Sequence, residues 1–271
     1  MTSTTDGAAG FLTALRSPDA EYRPGATSGP ASPMELWPVA GALHDTLPTD
    51  VRDGWALRLY ALLQERYGKN PVTGPPAYHS QPVGQRLSVI HDWQRHTVLP
   101  LVAETMPGAE AVPFSSLTRL HTEASAGRAT APDAWRTALH PFLLHLHATA
   151  FDRTAAYAEG HDGARAYALS QGRSPAEADA YGHEYAKLSC TANVRAFAEA
   201  HALALSDALA LTYAADDRGA YVETFPGSSV RAVVRFCHQA RSHHLAAGNP
   251  ATRLSEGLLT ALIRGRSLWS R

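Results

Sequence analysis

Cysteine is nearly absent from this chain of 271 residues: only Cys190 and Cys237 occur. Two thiols cannot staple a loop-rich scaffold, and a chain of this length buries enough surface to need no staple. Long apolar runs are missing too. Nothing approaches the roughly 20 consecutive residues of a membrane span, so no membrane association is expected. Excess charge of either sign is also lacking: 24 Lys and Arg stand against 25 Asp and Glu, a formal net charge of -1. No global field therefore draws the chain to nucleic acid or anionic lipid. Met1–Gly10 has neither the positive start nor the apolar core of a secretory signal. A cytoplasmic protein with buried, reduced thiols is the expectation.

Catalytic signatures are equally scarce. The sequence holds no Gly-x-Gly-x-x-Gly, no phosphate loop and no Gly-x-Ser-x-Gly elbow. Ser189-Cys190 has no evident base beside it. Among the 14 histidines, His91 and His96 are five apart, and His140, His145 and His147 do not share a helix face. No metal set and no cofactor is expected from these spacings. Asp216-Asp217 with Glu223 is an acidic cluster at a helix end, too sparse to hold magnesium and as well read as a turn.

What the sequence does have is alanine-rich helical periodicity. Hydrophobic residues make up 45% and charged residues 18%, the composition of a globular chain. Two long stretches, 133–172 and 175–214, are joined by Ser174-Pro175-Ala176-Glu177. That tetrapeptide puts a hydroxyl at the N-cap, proline at the first helical position and a carboxylate at N3, a helix restart. Further helices are expected over 50–67, from Pro82 with a kink at Pro100, over 114–126, and over about 228–247 and 250–268. The fold class is therefore all-α: a single globular bundle of about eight helices with two long central ones. Residues 1–33, rich in Pro, Gly and Ser from position 17, are read as a flexible N-terminal segment, and 34–271 as the helical-bundle domain.

Candidate functional residues come from the faces of the two long helices. On the first, Trp135, Leu139, Phe142 and Leu146 make a core stripe. His145, Asp152 and Glu159 recur at seven-residue spacing along its edge, either as an acid/base or metal-carboxylate shelf or as a wet boundary row. Gly160 and Gly163 should weaken the helix there. On the second helix both sides carry apolar residues, which predicts a helix running through the bundle interior. One of its faces mixes Tyr181, Tyr185, Arg195 and Glu199.

Buried polar groups need partners, so this face predicts either a hydrogen-bond network or a cavity. The expected site assigns Glu199, Arg195, Tyr185 and Glu159 to acid/base work, with Tyr181, Tyr157, His145, Asp152 and Glu184 contacting the ligand. The expected function is a small-molecule enzyme or binder acting on a largely apolar molecule with one polar or anionic end. A metal-carboxylate bundle enzyme is one alternative. The other is a non-enzymatic scaffold working through a protein partner, where a homodimer through an exposed stripe would fit.

Overall fold

The computed structural model describes residues 4–16, 35–67, 86–105, 112–241 and 248–267. Within them the secondary structure is helical throughout: α1 (Thr4–Arg16), α2 (Trp37–Thr46), α3 (Thr49–Tyr67), α4 (Ser88–Trp93), a π-turn (Gln94–Val98), α5 (Leu99–Thr105), α6 (Phe114–Ser125), α7 (Pro132–Ala150), α8 (Arg153–Ser170), α9 (Pro175–Ala215), α10 (Arg218–Glu223), α11 (Pro226–Arg241) and α12 (Pro250–Ser267). The all-α expectation holds, with more helices than anticipated. The Pro-, Gly- and Ser-rich part of the proposed flexible segment, 17–33, lies outside the described residues. Residues 4–16 form α1, in line with the short helix that Phe11-Leu12-Thr13-Ala14-Leu15 suggests in the sequence. Its Phe11 and Leu15 are buried in the core, and the Phe11 ring meets Trp37 at 5.3 Å and Tyr60 at 5.2 Å.

One core is built from α1–α7, α10–α12 and the C-terminal end of α9. Its three largest fully buried side chains are Trp55, Trp93 and Trp135. Each indole N–H finds an acceptor, as a buried polar tip must: Ser255 O at 3.0 Å, Leu254 O at 2.9 Å and Thr130 Oγ1 at 2.6 Å. Two of these acceptors belong to α12, so the tryptophans clamp α12 onto α3 and α4. At Pro100 the expected kink takes the form of the π-turn. Proline has no N–H and its ring collides with the carbonyl four residues back. The ladder widens just before it, and Leu99 N–H donates to Gln94 O, five residues earlier. At the same turn α12 approaches closely, because Gly257 lies against Thr97 with no room for a Cβ.

The first long stretch is two helices. Phe151 leaves the helical region (ψ 131°), and Asp152 restarts the chain by accepting a hydrogen bond from Ala155 N at 3.0 Å. No break occurs at Gly160 or Gly163. The restart at Ser174 is as expected: Ser174 Oγ accepts from Glu177 N at 3.4 Å, and Glu177 Oε2 accepts from Ser174 N at 3.0 Å. From there α9 runs 41 residues.

Its buried positions over most of that length are one four-residue series, Ala178, Gly182, Ala186, Cys190, Val194, Ala198, Ala202 and Ser206. Positions four apart lie nearly one above another but drift by about 40° per step, so the seam winds slowly round the helix, and small side chains there let neighbouring helices approach closely. α8 packs along the first part of the seam and α7 along the rest. Because, among the described helices, α8 packs extensively on α9 alone, the pair forms a two-helix arm on the bundle. Only the last turns of α9, with Leu209, Ala210 and Tyr213, run through the core.

Candidate functional site

The interior passage expected for α9 is not found around Arg195 and Glu199. Their side chains are 81% and 54% exposed, and Arg195 Nε donates to Glu199 Oε1 at 2.8 Å in open solvent. Alanine explains the misreading: it counts as apolar on every face yet costs little when left wet. Among the described residues no chamber therefore encloses this pair. Asp152 is spent as the N-cap of α8, and the break before it separates His145 from Glu159, so the proposed row is not continuous. Glu184 is exposed on α9. His145 is half-buried beside the Phe236 ring, 6.0 Å away, and burial lowers its pKa.

Three of the expected residues do come together. Glu159, Tyr181 and Tyr185 line a shallow surface groove of about 340 Å³ with Tyr167 on one flank of the arm. Tyr181 lies 6.4 Å from Tyr167 and 6.5 Å from Tyr185, with the Arg173 guanidinium 5.0 Å from its ring centre. Tyr157 lies on the other flank, its hydroxyl 2.9 Å from His183 Nδ1. The two aspartates of the acidic cluster are used elsewhere, and Glu223 is exposed on α10. Asp216, in a left-handed conformation (φ 52°), accepts from Arg86 N at 2.6 Å and Leu87 N at 2.7 Å, and Asp217 caps α10 through Ala220 N.

The deeper site is one the sequence did not indicate. Four helices each send one ring into a common point in the core: His91 from α4, His121 from α6, Trp135 from α7 and Tyr213 from α9. The six centroid separations run from 4.8 to 5.8 Å. The two histidines are 1% and 2% exposed, and their Nδ1 atoms lie 2.9 Å apart. Two nitrogens at that distance share one hydrogen, so one imidazole carries its proton on Nδ1 and the other on Nε2. His91 Nε2 is buried with no hydrogen-bond partner among the described residues.

Desolvation favours the uncharged rings. It pushes His91 down to about 3 and His121 well below its ordinary value, and the neighbouring His91 adds to the effect on His121. The same burial raises Tyr213 and Tyr221. At neutral pH this is a set of uncharged donors and acceptors.

Beside the cluster lies a cavity of about 50 Å³. Leu117, Phe142, Leu209 and Val230 supply apolar wall, and His121, Tyr213, Tyr221 and Thr224 supply polar atoms. His121, Tyr213 and Tyr221 follow one another ring to ring, at 5.4 and 6.2 Å, so the polar groups share one side. A water needs about 10–15 Å³ measured in this way, so the space takes about four waters or one molecule of a few non-hydrogen atoms. The signal for His121 was present: it stands four residues after Leu117 on the inward stripe of α6. Nothing in the spacing tied it to His91, 30 positions earlier. Comparison of the chain with protein-family models, curated proteins and solved structures finds no match in any of the three.

Proposed function

We propose that the protein binds a small, neutral, mostly apolar molecule in the core cavity, its polar end directed at His121, Tyr213, Tyr221 and Thr224. The observation that carries this reading is the cavity itself, apolar over most of its wall and polar along one side. Convergent polar groups in an otherwise apolar recess are the usual form of a ligand site. The charge state narrows the ligand. With both histidines uncharged and no cation among the described residues of the wall, a carboxylate or phosphate would be buried unpaired at high cost. A hydroxyl, carbonyl or amide end meets donors and acceptors instead.

The same shifts argue for binding over acid/base catalysis: His121, held by burial well below its ordinary value, is too weak a base to take protons at neutral pH. The test is NMR of the full chain titrated with short-chain alcohols of about two to five carbons, sized to the cavity. The expectation is saturable shifts of the His121 and Tyr213 ring signals, abolished in Val230→Phe, where the added ring fills the space. Wild-type signals that drift linearly, without saturation, would overturn the proposal.

A further inference from the structure

The geometry points to a divalent transition-metal site on the arm, held by His161 of α8 with Asp179 and His183 of α9, and chemically suited to zinc. This site is separate from the core cavity. Asp179 and His183 are four residues apart and so share one flank of α9, opposite the flank that carries Tyr181 and Tyr185. Antiparallel packing of α8 brings His161 over the space between them. His161 Nε2 stands 3.3 Å from Asp179 Oδ1, and His183 Nε2 stands 3.5 Å from Asp179 Oδ2. One donor atom from each residue lies within 4.8 Å of the other two. Tetrahedral zinc with bonds of about 2.0–2.1 Å needs donor atoms about 3.3–3.4 Å apart, so small side-chain movements close the set.

Three further features fit a metal rather than a chance meeting of side chains. Both histidines have their outer nitrogens engaged: His161 Nδ1 lies 3.1 Å from Asp162 Oδ1, and His183 Nδ1 lies 2.9 Å from the Tyr157 hydroxyl. Such outer partners hold the Nδ1–H tautomer and turn the Nε2 lone pair toward a common centre. His161 Nε2 is shielded from water yet makes no hydrogen bond among the described residues. Gly182 keeps the cradle open, since a Cβ there would stand 2.9 Å from His161 O and 3.0 Å from its ring.

Arg165 Nε also approaches Asp179 Oδ1, at 3.6 Å. A metal would displace this loose contact, and the half-exposed arginine has room to swing away. The site opens to solvent at Asp179 and His183, so water takes the fourth position. The bound ion would bridge two helices that otherwise meet through a seam of small residues.

Equilibrium dialysis of the full chain against zinc, with metal counted by mass spectrometry, tests this directly. We expect one zinc per chain, with Asp179→Asn and His183→Ala each weakening binding at least tenfold. Tyr157→Phe should weaken it by about tenfold as an outer partner, while His238→Ala, on α11, should leave it unchanged. Cobalt loaded in place of zinc should show the intense visible bands of a tetrahedral ion, lost in His161→Ala. Far-UV circular dichroism establishes that each variant is folded. A folded wild type that takes up no zinc, or zinc uptake equal in the wild type and all three ligand variants, overturns the proposal.

Discussion

Replacing the buried histidine pair with leucine should make the protein resistant to acid. An unfolded histidine titrates at 6.5, whereas folded His91 is held at about 3. Below 6.5 the unfolded chain therefore takes up a proton that the folded chain refuses. Stability is fully present above 6.5 and is lost as the pH falls toward 3. Each pH unit in that window costs about 1.4 kcal/mol per group. Between pH 7 and 4.5 His91 alone removes about 2.5 kcal/mol, and His121, shifted in the same direction, adds to it.

His91→Leu with His121→Leu removes both partners of one hydrogen bond and also the unpartnered His91 Nε2. Replacing both partners with apolar groups of similar size is close to neutral. The double variant should then match the wild type at pH 7 and exceed it by about 3 kcal/mol or more at pH 4.5. His145 and His147, also lowered by burial, act equally in both proteins and cancel. Urea midpoints measured at half-unit pH intervals read the difference. Parallel pH slopes for the two proteins would refute the claim that burial holds this pair uncharged.

Gly257→Ala should destabilise despite the better helix propensity of alanine. The new Cβ would sit 2.7 Å from Thr97 Cβ, a contact that no rotation of the threonine relieves. Overpacking of about 1–3 kcal/mol set against about 1 kcal/mol of propensity predicts a lowered urea midpoint; a raised one would contradict it. Asp152→Ala should cost about 1 kcal/mol through loss of the α8 cap, whereas Arg195→Ala should leave the thermal midpoint unchanged. Equal effects from the two would mean that the cap or the exposed pair has been misjudged.

The parts of this fold legible in sequence were those encoded locally. The Ser174 capping box, the Trp135–Leu146 stripe and the inward set on α6 need only neighbours three or four positions away. The break at Phe151 was hidden because Arg153 and Tyr157 continue the spacing of the preceding stripe across it. Gly160 looked like a weakness and is instead a close approach: a Cβ there would lie 3.1 Å from Ser189 Oγ. The expected site on α9 failed for the reason alanine-rich helices often mislead, since apolar character on two sides does not prove two neighbours. His161, Asp179 and His183 could not be grouped from spacing, because their meeting depends on the antiparallel register of α8 on α9. That register is set by Gly160, Ala164 and Ala168 meeting the small positions of α9.

Between His183 and Ala215 the sequence contains neither glycine nor proline, and the helix carrying both residues is unbroken. At 1.5 Å per residue, about 45 Å of stiff rod joins His183 to Tyr213. One uninterrupted helix therefore carries, at its two ends, the outer histidine–aspartate cluster and the tyrosine against which both buried imidazoles rest.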